Sequence, residues 1–189
     1  MPIDIRRENA DALTVYASIP NAFEVREVID LAALDLGVAS LPVRAVTPRI
    51  KDYDALPHND PASWLARRRI FDWVFLLANA EGRTIAGAVV ITEESEVIAL
   101  GGRPRNALLW DLRVAPAWRR RGLGRALLRE AEVTAREAGA QALDVETQDT
   151  NVPPCRLYAS CGFSLADVHI HGYRSLTDEA KLLWTKTLP

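Results

Sequence analysis

The chain has 189 residues, of which 49% are hydrophobic and 25% are charged, and its formal net charge at pH 7 is -2. This composition is typical of one globular core and excludes a disordered chain. Because 23 Lys and Arg residues face 25 Asp and Glu residues, the balance also disfavours a protein that coats nucleic acid or an anionic membrane.

The first half of the chain contains strand signals separated by turns. We expect residues 1–22 to form an N-terminal extension, packed on or flexibly attached to a single domain that spans residues 23–189. The pattern predicts a strand over 23–30, a turn over 34–37 and a loop over the Pro- and Asp-rich segment 46–61.

Helix signals appear at Asp60, where an N-cap residue followed by Pro61 predicts a short helix. Two β-rich runs in 72–92 predict a hairpin around Asn79–Gly82, and the apolar segment 106–114 predicts a central strand. The period then changes, and apolar residues at helical spacing predict a helix from Gly122 to Gly139.

After Gly139 the same signals recur. They predict a strand over 142–147, a helix with proline in its first turn over 153–160, and late strands within 163–173 and 179–188. Strands that alternate with helices indicate an α/β fold with at least one parallel crossover.

The expected cellular location follows from three negative signals. Nothing near Met1 resembles the apolar core of a signal peptide, no apolar run approaches the ~20 residues of a membrane helix, and two cysteines, Cys155 and Cys161, are too few for a disulfide framework. We therefore expect a cytoplasmic protein whose cysteines are small buried residues rather than nucleophiles.

The segment AWRRRGLGRALL, residues 117–128, sets three arginines before a helix start. The first turn of a helix exposes unpaired N–H groups and the positive end of its dipole, which suits phosphate oxygens. Gly122 and Gly124 would let a diphosphate approach those amides, and the arginines add charged donors. The alternative is a solvated basic surface. A Walker A loop and a dinucleotide fingerprint are both excluded by the spacing.

The pattern Arg119-x-x-Gly122-x-Gly124 resembles the acetyl-coenzyme A signature of the GNAT N-acetyltransferases. The segment CRLYASCGF, residues 155–163, resembles the helix of that family that bears a tyrosine before Gly-Phe. The tail 146–165, together with FEVREVIDL at 23–31 and the KDY that follows it, looks closest to streptothricin acetyltransferases. That resemblance implies an α/β GNAT acyl-CoA N-acyltransferase fold, with a mixed central sheet flanked by helices.

By the same resemblance, acetyl-CoA is the co-substrate and no metal is needed. Asn151 would hydrogen-bond the cofactor arm, although it could equally serve as a turn or cap residue before Pro153. The backbone of one strand would bind the pantetheine arm, and the loop that follows would wrap the diphosphate; the residues concerned are Leu112, Arg113 and Val114, then Arg119, Arg120, Arg121, Gly122, Leu123, Gly124 and Arg125.

The same resemblance implies a proton donor for the leaving thiolate, and Tyr158 matches that residue. The alternative is that the ring of Tyr158 only packs in the core. A general base should take the proton of the amine, and Asp111 and Glu146 are the candidates. Streptothricin acetyltransferases carry Glu one position before Asp111, where this chain has Trp110. His169 and His171 alternate on a predicted strand, but no third ligand suggests a zinc site.

The resulting hypothesis is an enzyme that acetylates the primary amine of a small cationic acceptor, such as a streptothricin-like antibiotic, in a ternary complex. Rivals within the class act on proteins, peptides or polyamines. A rival of another class only binds CoA, or binds nucleic acid through Arg67–Arg69 and Arg119–Arg121. We expect a small-molecule amine as partner, no nucleic acid and no membrane, and we leave homodimerisation open.

Overall fold

The computed structural model describes residues 3–35, 41–57, 59–173 and 176–189, so the turn expected over 34–37 lies partly outside the described residues. The strands are β1 (Asp4–Glu8), β2 (Phe23–Ile29), β3 (Val43–Lys51), β4 (Val74–Ala80), β5 (Arg83–Ile91), β6 (Asn106–Val114), β7 (Ala142–Gln148), β8 (Ser164–His169) and β9 (Lys181–Thr187). The helices are α1 (Leu13–Ala17), α2 (Trp64–Arg67), α3 (Glu94–Ala99), α4 (Leu123–Glu137) and α5 (Val152–Ser160).

The chain divides into two compact units. The first unit comprises Met1–Phe23, Asp52–Leu143 and Thr187–Pro189, and the second comprises Glu24–Lys51 and Asp144–Lys186. The expected boundary between an extension over 1–22 and a domain over 23–189 stays a prediction.

The sheet of the first unit has the strand order β1–β4–β5–β6, and each of these three pairings is antiparallel. The hairpin expected in 72–92 is confirmed as β4 and β5. Its turn places Glu81 at φ 52° and Gly82 at φ 71°. Two successive residues with left-handed backbone conformations match the twist of the flanking strands. The hairpin could be predicted from the sequence because this preference is local to the turn.

The core of the first unit is rich in aromatic side chains. Tyr16 of α1 is fully buried and contacts the rings of Trp64 and Phe75, with centroids 6.0 Å and 5.6 Å apart. On the same unit, α4 packs against β4, β5 and β6. The buried apolar side chains of α4 are Leu123, Leu127, Leu128, Ala131 and Ala135, which confirms most of the predicted apolar face.

One charged side chain of α4 is buried rather than exposed. Glu132 is buried, and it accepts a hydrogen bond from Arg136 one turn later at 3.3 Å. Gly139 follows the helix at φ 79°, which confirms it as the left-handed residue after the C-cap.

The second unit contains the strand order β7–β9–β8 and a separate two-stranded sheet of β2 and β3. The loop expected over 46–61 is wrong for residues 46–51, because β3 extends to Lys51. Pro48 is tolerated there because each strand of a two-stranded sheet has an unpaired edge. Most of β3 is exposed, so it lacks the apolar alternation that predicts strands.

These elements form a mixed α/β fold whose strand pairings β1–β4, β4–β5, β5–β6 and β8–β9 are antiparallel, which confirms the expected fold class. Within the described residues, no helix is long and apolar enough to cross a membrane.

Candidate active site

The loop between β6 and α4 turns the chain sharply before the helix begins. A short 3-10 turn, Pro116–Trp118, is followed by Arg120 at φ 61° and Gly122 at φ 84°. Gly122 is the N-cap of α4. Because glycine has no side chain, no side-chain hydrogen bond caps this helix. A Cβ built on Gly122 would meet no atom within 4 Å.

The start of α4 is therefore an open and uncapped helix terminus. The first N–H groups of an α-helix have no acceptor within the helix, and their aligned dipoles attract an anion. Many helices satisfy these groups with the side chain of Ser, Thr, Asp or Asn at the N-cap, but α4 has none there. This geometry fits the diphosphate of a cofactor.

The arginines of this loop divide into two kinds. Arg119 donates from Nε to the carbonyl of Val114 and from Nη2 to the carbonyl of Ala22, both at 2.9 Å, so its side chain ties the loop to β6 and to the N-terminal segment. Arg120, Arg121 and Arg125 are exposed. The guanidinium of Arg121 lies 4.9 Å from the centroid of the Trp118 ring. Contacts of the exposed arginines with a diphosphate stay predictions.

The end of β6 carries a buried charged cluster that the sequence alone did not reveal. Arg113 is 2% exposed, and it donates from Nε to Oδ2 of Asp111 at 2.5 Å. Its two terminal nitrogens donate to both oxygens of Asp54, at 2.6 Å and 2.8 Å. An arginine inside a mostly apolar strand signals that buried acidic partners exist, but it does not identify them.

The charged cluster changes the ionisation of its members. Burial lowers the pKa of Arg113, but the negative charge of Asp111 and the hydrogen bonds to Asp54 and Asp111 outweigh this, so the pKa of Arg113 is raised. Burial first, and then the negative charge of Asp111, raises the pKa of Tyr16 well above its usual value. Arg113 therefore stays cationic and Tyr16 stays a neutral phenol throughout the physiological range.

Trp110, the residue before Asp111, packs into an aromatic group. Its ring centroid lies 5.4 Å from that of Trp73 and 6.1 Å from that of Trp64. The guanidinium of Arg68 lies 4.8 Å from the centroid of the Trp110 ring. Position 110 thus supplies aromatic surface.

In the second unit, Tyr158 lies on α5 and is 5% exposed. Its ring contacts those of Phe163 and Trp184, with centroids 5.7 Å and 6.2 Å apart. The aromatic packing expected of a structural tyrosine is therefore present, and a catalytic role of the hydroxyl stays a prediction. Asn151 is the N-cap of α5, but its side chain makes no capping hydrogen bond. The alternative role of Asn151 as a side-chain cap is therefore not realised.

Glu146 on β7 belongs to a polar group of the second unit. Its Oε1 accepts a hydrogen bond from the hydroxyl of Tyr173 at 2.8 Å, and its Oε2 lies 2.8 Å from Nζ of Lys181. Gln148 also donates to the Tyr173 hydroxyl, at 2.9 Å. Glu146 therefore pairs with an ammonium group, as Asp111 pairs with the guanidinium of Arg113.

The remaining candidates of the sequence are placed as follows. Cys155 is buried, Cys161 is partly exposed, and both are free. Burial raises the pKa of the Cys155 thiol to about 12. The expectation that His169 and His171 share a strand is wrong, because β8 ends at His169 and the chain turns there. No group of three or more His, Cys, Asp or Glu with metal-binding geometry occurs in the described part of the chain.

Comparison with known proteins agrees with this geometry. The sequence profile described as "Acetyltransferase (GNAT) family" matches residues 46–163. A streptothricin acetyltransferase of Escherichia coli is 28% identical to this chain over 168 residues, which are 87% of this chain and 84% of that protein.

Two solved structures align over the full length of both chains. One is a candidate streptothricin acetyltransferase from Bacillus anthracis in complex with acetyl coenzyme A, with a TM-score of 0.76 and 22% identity. The other is a nourseothricin acetyltransferase, with a TM-score of 0.75 and 23% identity. At this level of identity, both likenesses establish a shared fold.

Proposed function

Because the chain belongs to the GNAT acetyltransferase family and is thus an acetyl-CoA-dependent acetyltransferase, we propose that its acceptor is the primary amine of a small cationic molecule of the streptothricin type. The observation that carries this proposal is the similarity to a streptothricin acetyltransferase across 87% of the chain. A similarity confined to the cofactor segment would support only acetyl-CoA binding.

The charges of the first unit also favour a cationic acceptor. Asp54 and Asp111 share the single guanidinium of Arg113, so this cluster carries one more negative charge than positive. Asp52 is exposed, and its side chain accepts a hydrogen bond from the amide of Asp54. A protonated amine would be attracted to such a surplus.

The charge of the segment after Tyr53 is a reason to test other amines as acceptors. The segment that follows Tyr53 contains Asp54 and Asp60 but ends in Arg67–Arg69. Basic side chains are therefore close in sequence to the acidic ones, and polyamines and peptides are the rival acceptors.

We propose that the cofactor lies along β6 and the start of α4. Acetyl-CoA supplies the acetyl thioester. The backbone of Leu112, Arg113 and Val114 would bind the pantetheine arm, and the amides at the start of α4 would bind the diphosphate with Arg120, Arg121 and Arg125. Arg119 would hold this loop in place through its two carbonyl contacts.

For the proton transfers, we propose that the hydroxyl of Tyr158 donates to the departing sulfur. A phenol has a reference pKa of ~10, above that of an alkyl thiol, so it retains a proton to give. Asp111 and Glu146 are the candidate bases, directly or through water, and each already pairs with a cation, Asp111 with Arg113 and Glu146 with Lys181. The base takes a proton from the acceptor amine, because only a neutral amine has the lone pair that attacks the thioester.

The test is a thiol-release assay with acetyl-CoA and a panel of streptothricin, spermidine, a lysine peptide and a peptide with a free N-terminus. We expect streptothricin to give turnover above the background without acceptor, with the acetylated product identified by mass spectrometry. If streptothricin is inert while spermidine or a peptide is acetylated, the proposed acceptor is wrong.

A further inference from the structure

The side chain of Arg113 is the buried centre of a cluster, although the family resemblance assigns this residue only a backbone role. Across the antiparallel pair, Arg113 faces Gly87 of β5. A Cβ on Gly87 would lie 2.8 Å from the ring of Tyr16 and 2.9 Å from the carbonyl oxygen of Leu76. The missing side chain of Gly87 thus makes room for Tyr16.

Tyr16 covers the guanidinium from this side. The carbon Cζ of Arg113 lies 5.4 Å from the centroid of the Tyr16 ring, within the range of a cation–π contact. The Tyr16 hydroxyl is buried and has no hydrogen-bond partner within the described residues. The ring of Tyr16 and strand β5 therefore exclude water from one side of the Arg113 guanidinium. The exclusion of water strengthens the attraction between this guanidinium and the carboxylates on its other side.

The two carboxylates come from distant parts of the chain. Asp111 is two residues from Arg113 on β6, whereas Asp54 is 59 residues away, in the segment that follows β3. Their side chains are 18% and 22% exposed, while that of Arg113 is 2% exposed. The cation is thus enclosed, and both carboxylates keep a solvent-facing portion.

We propose that Arg113 is a positioning residue of the acetyl transfer, whose guanidinium holds the candidate base Asp111 and the segment around Asp54 in a single arrangement. This inference rests on the proposed function, because Asp111 acts as a base only if an amine is acetylated. Arg113 places one cation between two neighbouring carboxylates, and it fixes the orientation of each through separate nitrogens. Without it, two like charges would share one site.

The main test is the pH dependence of kcat/KM for the acceptor, whose acidic limb reports ionisations of the free enzyme and of the free acceptor. The acceptor is the same for every variant, so a shift of this limb between variants reports the base of the enzyme. In Arg113→Met, the acidic limb should move up by about 1 to 3 pH units, because the carboxylates lose their cation and repel each other. Arg113→Lys keeps the charge and should return the limb to within about half a unit of wild type.

The double variant Arg113→Met/Asp54→Asn separates charge from packing. Removing the second carboxylate should bring the limb back toward wild type, although the packing defect of Arg113→Met remains. A merely structural Arg113 predicts lower melting temperatures in all of these variants with the same pH limb. That result would overturn the proposal.

Thermal melting across pH gives a readout that needs no acceptor. In Arg113→Met the shared carboxylates bind a proton more readily in the folded state than in the unfolded state, so acidification stabilises this variant relative to wild type. The melting deficit should therefore shrink between pH 8 and pH 5. If no acceptor of the panel is acetylated, the proposed function fails, and this measurement still decides whether Arg113 balances the two carboxylates.

Asp54→Asn keeps the test decisive if Arg113→Met does not fold. Arg113 then pairs with Asp111 alone, so the acidic limb should move to lower pH, and the acceptor KM should rise several-fold as the loop loses its anchor. An unchanged limb together with an unchanged KM would refute the role proposed for Arg113.

Discussion

The substitution Gly122→Asp tests the cofactor cradle at the start of α4. The added side chain would meet no protein atom within 4 Å, so it would extend into the space where the diphosphate is expected. Its carboxylate should repel that diphosphate by about 1 to 4 kcal/mol for a pair of charges near 4 Å, depending on how much water screens them. A loss of 2.7 kcal/mol corresponds to a Kd raised about 100-fold.

The expected thermal shift follows from mass action. Acetyl-CoA at 100 times its Kd should stabilise the wild-type fold by about 2.7 kcal/mol. For a chain of this size each kcal/mol raises Tm by about 2 to 4 °C, so the shift should be about 5 to 10 °C. At the same concentration a Kd raised 100-fold leaves about 0.4 kcal/mol, which is a shift of about 1 °C.

Gly139→Asp is the matched control, because Gly139 lies at the other end of the same helix. Both glycines have left-handed backbones, at φ 84° and 79°, and both have open space around a new Cβ. Each variant should therefore pay a similar backbone strain of about 1 to 2 kcal/mol, but Gly139→Asp should keep the full acetyl-CoA shift. If a folded Gly122→Asp protein keeps that shift too, the diphosphate does not bind at residues 122–124.

Two further predictions concern α5. Tyr158→Phe should lower turnover by about 10²- to 10⁴-fold with little change in the acetyl-CoA thermal shift, because it removes a proton donor and keeps the ring packing; steady-state kinetics within a few-fold of wild type would remove Tyr158 from the mechanism. Since burial raises the thiol pKa of Cys155 to about 12, iodoacetamide at pH 8 should modify Cys161 before Cys155, and mass spectrometry showing the reverse order would contradict the buried position of Cys155.

Local chemistry is what the sequence by itself determined. The hairpin turn at Glu81 and Gly82, the start of α4 after Gly122 and its end at Gly139 all depend on residues that adopt left-handed backbones. Such preferences act within a few residues of the chain, so they are legible in the sequence and hold in the structure. The acetyl-coenzyme A motif was also local, since it spans Arg119 to Gly124.

Pairing between distant segments was decided only by the tertiary structure. The exposed strand β3 exists because it pairs with β2, although its own sequence favoured a loop. Asp54 meets Arg113 across 59 residues, and Arg119 reaches the carbonyl of Ala22 across 97. A buried charge requires a partner, but the free energy of that pairing depends on a geometry that only the folded chain provides. Only the fold, and not the sequence, identified Asp111 and Asp54 as the partners of Arg113.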